Sequence, residues 1–244
     1  MTKSRLDEAL VARNLAPSRS RARDMVLRAS VWVNGAINTK PSKTIFDADI
    51  IVVTDTAQRY VSRAALKLVH ALDHFKLSPH GKFCLDIGAS TGGFTQVLLE
   101  RGARHVVALD VGHGQLVPML ADDPRVTSIE GQNARDLADV EFLERPQFLV
   151  ADVSFISLRL ALPPALQRCL PGAELVVLIK PQFEVGKGRL PKDGVVKDPD
   201  LHKAVCDDIS RFVAGEGWTI MGILASPIDG GDGNQEFLLA ATKK

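Results

Sequence analysis

Lys82-Phe83-Cys84-Leu85-Asp86-Ile87-Gly88-Ala89-Ser90-Thr91-Gly92-Gly93-Phe94 is an apolar run that breaks into a glycine-rich turn and then opens a helix. A run of that kind suits a strand buried on both faces, as in a parallel sheet. Gly88, Gly92 and Gly93 permit positive φ and let a ligand come close to the backbone. Their spacing, Gly-x-x-x-Gly-Gly, departs from the dinucleotide fingerprint Gly-x-Gly-x-x-Gly. The next strand ends on Asp110, placed to accept hydrogen bonds from ribose hydroxyls, although an acid that only caps a turn would read the same way.

Working outward, strands are expected at Lys82–Ile87, Val106–Asp110, Val126–Glu130, Gln147–Asp152 and Glu174–Ile179. Helical segments near 92–101, 115–121, 157–169 and 199–215 separate or follow them. That alternation is the pattern of a parallel sheet covered on both faces. Two more strands, Trp218–Ser226 and Glu236–Ala241, are joined by the turn-rich Asp229-Gly-Gly-Asp-Gly-Asn234, short enough to make them antiparallel. The expected fold class is therefore α/β, a mostly parallel seven-stranded sheet with helices on both faces. That architecture resembles the Rossmann-like methyltransferases, and Asp86-x-Gly88-x-x-x-Gly92-Gly93 resembles their S-adenosylmethionine motif. The resemblance implies a cofactor site at Asp86, Gly88, Gly92, Gly93 and Asp110. Asn133, after the third strand, either faces the adenine, as in many such enzymes, or is an ordinary loop asparagine.

Ahead of this body lies a different kind of sequence. Residues 1–45 carry nine Lys/Arg against three Asp/Glu, while the whole 244-residue chain has a net charge of only +1. A basic head on a mildly acidic body suits contact with a polyanion. Ser4 is a candidate cap for a first helix, and a second is expected from Ser18 with Ala22, Met25, Val26 and Ala29 on its inner stripe. Arg19, Arg21, Arg23 and Arg28 then occupy its flanks and outer face, where each guanidinium can pair with phosphate. Val31-Trp32-Val33 runs into the hairpin turn Asn34-Gly35, with a further strand at Ile50–Val53. Arg5-Leu6-Asp7-x-x-Leu10, Ser18-Arg19 and Val31-x-Val33-Asn34-Gly35 resemble the S4 domain. That likeness implies RNA contacts by Arg5, Arg19, Arg21 and Arg23; a protein-docking module is the alternative. The expected domains are 1–58, S4-like, and 59–244, methyltransferase-like.

Several classes lose ground on composition. The longest apolar stretches, such as Leu175–Ile179 and Trp218–Ala225, fall far short of a membrane span. The N-terminus opens polar and charged, without the apolar core of a secretory signal. Cys84, Cys169 and Cys206 are odd in number and not spaced as metal ligands, so no metal is expected. Reduced thiols and no signal point to a cytoplasmic protein.

The reacting group is read after the fourth strand. Asp152-Val153-Ser154-Phe155 is not the Asn/Asp-Pro-Pro-aromatic motif of amino methyltransferases, and neither Cys84 nor Cys169 sits in an exposed loop as a cytosine-C5 nucleophile would. A ribose hydroxyl needs a base, and an amine serves only when charge or burial depresses a titration that is free near ~10.4. Lys180 ends the fifth strand, with Asp152, Glu236 and Lys67 as candidates to surround it. Lys67…Asp152…Lys180…Glu236 resembles the catalytic tetrad of FtsJ-type 2′-O-ribose methyltransferases. Together with the S4-like head and with Tyr60-Val61-Ser62-Arg63, Asp152-Val153-Ser154-Phe155-Ile156-Ser157 and Lys180-Pro181-Gln182-Phe183-Glu184, the chain is identified as a member of the TlyA family. The likeness spans almost the whole chain; many relatives have Gly-Gly at Ala64-Ala65, which leaves Lys67 in place. It implies methylation of a cytidine 2′-hydroxyl in ribosomal RNA, with ribosomal RNA or ribosomal subunits as partner, S-adenosylmethionine as cofactor and Lys180 as base. The rival readings are a haemolysin-like membrane-active protein, for which no segment is long or amphipathic enough, and a non-catalytic RNA-binding factor.

Overall fold

A computed structural model describes residues 3–54, 59–186 and 188–244. The chain separates into two compact units, Met1–Arg59 and Tyr60–Lys244. The boundary expected after residue 58 falls at the edge of residues 55–58, which lie outside the described ones.

In the first unit, β1 (Lys3–Arg5) pairs antiparallel with β4 (Thr44–Phe46). This corrects the expected cap: Ser4 lies opposite Ile45 in that ladder, and α1 (Leu6–Ala12) begins after Arg5 with no side-chain cap. Pairing claims the backbone that a cap would need. α2 (Arg19–Leu27) does start where Ser18 places it, the serine Oγ accepting from Arg21 N at 3.3 Å. β2 (Val31–Val33) turns through Asn34 and Gly35, at φ 51° and 79°, into β3 (Ala36–Ile37). β5 (Ile51–Val53) completes a three-stranded antiparallel sheet in the order β3-β2-β5. Leu6, Leu10, Ala22, Met25, Val26, Val31, Val33 and Ile45 form the core of this unit.

The second unit opens with α3 (Ala65–Phe75), then β6 (Phe83–Ile87), α4 (Gly93–Glu100), β7 (His105–Asp110), α5 (Pro118–Ala121) and β8 (Val126–Glu130). A 3-10 turn at Ala134–Asp139, β9 (Phe148–Ala151), α6 (Leu158–Ala161), α7 (Pro163–Arg168) and β10 (Glu174–Ile179) follow. α8 (Pro181–Glu184), α9 (Pro199–Gly215), β11 (Trp218–Ala225) and β12 (Phe237–Lys243) end the chain. The seven strands lie in the order β11-β12-β10-β9-β6-β7-β8, parallel from β10 to β8, with β12 antiparallel to both its neighbours. Leu85, Ile87, Leu149, Val177 and Leu239 fill one face; Cys84, Val106, Val150, Val176 and Leu238 fill the other. Both faces being covered is why these strands read as unbroken apolar runs.

Two helices differ from the sequence reading. The expected helix over 157–169 is broken between α6 and α7 at Pro163, which brings no N–H to an i−4 carbonyl. The segment 115–121 is helical only from Pro118, because the proline ring drives Val117 before it into extended backbone (ψ 144°); Gln115 and Leu116 ahead of it donate their N–H groups to Glu130 Oε1, at 2.9 and 3.3 Å.

Candidate active site

The parallel strands deliver their C-terminal ends to one rim, the edge where open α/β sheets bind ligands. β6 hands over to the glycine turn: Gly88 N and Ala89 N both donate to Leu109 O, at 2.8 and 3.1 Å. Gly88 has φ +81°, and a Cβ there would lie 2.4 Å from the backbone O of Asp152. One strand beyond β6, Asp110 Oδ2 accepts from Ser90 N and Oδ1 from Gly112 N, both at 2.8 Å. The carboxylate thus ties the end of β7 to the glycine turn, and each oxygen keeps a further lone pair for a ligand donor.

A cavity of about 910 Å³ opens along this rim, lined among others by Gly88, Asp110, Asn133, Val153, Leu160 and Gln182. Its size is that of a small-molecule site. The lining also fits S-adenosylmethionine chemically: a carboxylate for ribose donors and apolar walls at Leu109, Val111, Val153 and Leu160 for a purine, while the first turn of α4, at Gly93 and Phe94, borders the smaller adjoining cavity. Among the described residues, Gln182 Oε1 is a buried acceptor of this lining without a partner.

The expected cofactor residues do not all reach the cavity. Gly88, Asp110 and Asn133 line it; Gly93 lines a smaller adjoining cavity; Asp86 and Gly92 line neither. Asn133 Oδ1 caps the 3-10 turn by accepting from Arg135 N at 3.0 Å. At Gly92, φ +98°, a Cβ would lie 2.3 Å from the Leu120 side chain and 2.7 Å from that of Leu116. Asp86 is fully buried, accepts from Thr95 Oγ1 at 2.7 Å through Oδ2 and has no partner at Oδ1 among the described residues. Burial, with help from the charges of Asp152 and Asp110, pushes its carboxyl from 3.8 up to about 7.

The smaller cavity, about 170 Å³, is lined by Ser62, Gly88, Phe94, Asp152, Ser154 and Lys180, among others. Lys180 Nζ lies 2.6 Å from Asp152 Oδ1 and donates to Ser154 Oγ at 2.8 Å. Lys67, on the first turn of α3, forms a second and more deeply buried ion pair with Glu236. Register joins the two pairs: Ile179 lies opposite Phe237, so Lys180 and Glu236 occupy adjacent strand ends. Lys67 and Glu236 nevertheless line neither cavity.

Three residues escaped the sequence reading. Ser154 and Phe155 follow Asp152, the latter at φ 64° and 91% exposed with its ring 5.2 Å from that of Phe183. Glu130 accepts from Gly114, Gln115 and Leu116 N–H groups and so holds the loop beside Asp110; these bonds keep its carboxyl below the usual range. No local motif announces such a contact across 14 to 16 residues.

In the first unit, Arg5 and Arg19, two of the expected RNA-binding arginines, form ion pairs within the unit. Arg5 forms a two-point pair with buried Asp7 at 2.9 and 3.0 Å, and Arg19 Nε reaches the same carboxylate at 3.3 Å. The Arg5 contact holds the Asp7 carboxyl below its ordinary range. Arg19 and Arg23 are exposed and Arg21 is half-buried.

This sheet order, with one antiparallel strand and a glycine turn facing an acid at the next strand end, defines an S-adenosylmethionine-dependent methyltransferase. Residues 60–243 match the FtsJ-like methyltransferase family, and residues 4–51 match the S4 domain. The chain is 45% identical to 16S/23S rRNA (cytidine-2′-O)-methyltransferase TlyA of Mycobacterium tuberculosis, over 97% of its own length and 89% of that protein's. It is 43% identical to Hemolysin A of Brachyspira hyodysenteriae, over 96% and 98% of the two chains. The solved structure "Putative hemolysin from Streptococcus thermophilus" superposes with a TM-score of 0.76 at 40% identity, covering 100% of this chain and 90% of that one. The chain belongs to the TlyA family of FtsJ-like methyltransferases that carry an S4 domain.

Two outcomes are expected. Asp110→Ala should weaken S-adenosylmethionine binding by about 1–3 kcal/mol in calorimetry, the loss of charged hydrogen bonds; unchanged affinity would remove Asp110 from the ribose. Asp86 gives a pH signature with a definite sign. Its folded pKa is raised, so between about 4 and about 7 the fold holds a proton that the unfolded chain has lost, and stability falls as pH rises through that window. Urea midpoints at pH 5 and pH 8 should differ less in Asp86→Asn than in the wild type; parallel profiles would contradict the shift.

Proposed function

We propose that the chain methylates the ribose 2′-hydroxyl of a cytidine in ribosomal RNA, with Lys180 as the proton acceptor and the basic S4 unit as the RNA grip. The observation that carries this reading is the position of Lys180 Nζ: it borders a small cavity that shares Gly88, Asp152 and Ser154 with the larger one. The substrate class rests on the name of the Mycobacterium tuberculosis relative. The ends of β10 and β7 are three strand spacings apart, roughly 14 Å, room for an extended nucleoside–amino acid between Asp110 and Lys180.

When bound, S-adenosylmethionine supplies a methyl group whose C–S bond breaks as the C–O bond forms, leaving a neutral thioether. The protein's part is to orient the partners and move one proton. In this reading Lys180 takes that proton from the 2′-hydroxyl, and Asp152 at 2.6 Å balances the ammonium that results. Glu236 fixes Lys67, and that pair braces the start of α3 against the neighbouring strand end. Lys67 would then help hold the ribose side of the site. Among the described residues, no helix is long and apolar enough to cross a membrane, so the haemolysin names of some relatives find no spanning helix here.

Lys180→Ala should abolish methyl transfer to ribosomal RNA and leave cofactor affinity nearly unchanged; substantial turnover by the folded variant would sink the base assignment. Replacing Arg19, Arg21 and Arg23 together with Ala should weaken RNA binding and flatten the slope of log affinity against log salt, while calorimetry with S-adenosylmethionine stays as in the wild type. A wild-type slope would make the head a protein-docking module instead.

A further inference from the structure

Lys180 has two polar neighbours of different kinds. Asp152 Oδ1 lies 2.6 Å from Nζ, yet it has no hydrogen-bond partner among the described residues. That contact is charge beside charge, off the axis of a hydrogen bond. The directed bond runs from Nζ to Ser154 Oγ, at 2.8 Å. Ser154 is exposed and lines the same small cavity, so its hydroxyl stands at the mouth where the acceptor must enter.

The segment that carries Ser154 is pinned on both sides. Before it, Asp152 N donates to Ile87 O at 2.9 Å. After it, Ser157 Oγ and Leu158 N both donate to Glu184, at 2.6 and 2.8 Å. Phe155, in between, is held at φ 64°, a conformation that a bulky side chain adopts only under constraint. A hydroxyl on a segment held this way can serve as a fixed reference point.

We propose that Ser154 is a positioning residue for methyl transfer: its hydroxyl aims the amine of Lys180 at the acceptor oxygen. The inference rests on Lys180 being the proton acceptor. A neutral amine has two N–H bonds and one lone pair, and rotation about Cε–Nζ is soft. In the neutral form that accepts the proton, one N–H held by Ser154 Oγ restricts rotation about Cε–Nζ and so keeps the lone pair in a set direction relative to the cavity that Lys180 lines. The acceptor's proton moves to that lone pair as oxygen gains the methyl and sulfur keeps the electron pair of the broken bond. The positive charge that leaves sulfur ends on Nζ, beside Asp152. Without Ser154, Asp152 still lies beside the nitrogen but nothing sets which vertex carries the lone pair, and misorientation of a reacting group costs rate rather than affinity.

The test compares Ser154→Ala and Ser154→Thr with the wild type and with Lys180→Ala on ribosomal RNA lacking the modification. Ser154→Ala should lower kcat by about 10- to 100-fold. KM for RNA, cofactor affinity and melting temperature should stay near wild type, and Ser154→Thr, which restores an Oγ, should recover most of the rate. Wild-type kcat in Ser154→Ala, with Lys180→Ala inactive, overturns the positioning role and leaves the base standing. Turnover by Lys180→Ala overturns the base itself. A loss that appears in cofactor affinity, or that Ser154→Thr fails to recover, assigns the effect to shape rather than to the hydroxyl and likewise overturns the proposal.

Discussion

The close passage of Gly88 against the backbone of Asp152 is the constraint on which the rim depends. A Cβ at 88 would stand 2.4 Å from a carbonyl oxygen, a position that no rearrangement of side chains relieves. Because the contact is backbone on backbone, β6 and β9 can keep their parallel register to their last residues, with Ile87 beside Ala151. The glycine turn and the Asp152–Phe155 segment then become two walls of the same cavities. Asp110 completes the arrangement from the other side by binding Ser90 N, so three consecutive strand ends act as one frame.

The charges around this frame are distributed by their access to water. Burying an ionised group costs several kcal/mol unless it is paired. Lys67 and Glu236 meet that condition with each other, both nearly sealed from solvent. Lys180 and Asp152, at 11% and 15% side-chain exposure, remain open enough to face a ligand. Asp86 pairs with no cation among the described residues, and burial pushes its carboxyl up to about 7. Similar chemical groups thus sit in separate surroundings along one sheet edge: a sealed pair, a more open pair, and a carboxyl that supports the turn through Thr95.

The first unit applies the same physics to a surface. Asp7 is buried and draws two guanidinium groups to itself, which orders Arg5 and Arg19 while leaving part of each exposed. A long side chain fixed in advance loses less entropy on meeting a phosphate. The cost is charge: the carboxylate offsets part of the positive field that composition alone attributes to this segment.

The sequence by itself determined the strands of the second unit, their direction and the rim, but not β1 and β4 of the first. Apolar runs buried on both faces are legible without contacts, as the agreement of β10 with its expected limits illustrates. The glycine spacing and the basic head were equally open to reading, because each follows from local conformation or composition. Helix extents were legible but missed: Pro118 keeps Val117 extended and Pro163 separates α6 from α7, both local effects of proline on the backbone. Only the tertiary structure decided which of the marked residues face the cavity. It set Asp86 and Gly92 behind the turn, sorted the four charged residues into a sealed pair and an open pair, and brought Ser154 to Lys180 across 26 residues. Periodicity says which face of a strand is buried, but the direction of a side chain at a strand end depends on what packs against it from distant parts of the chain.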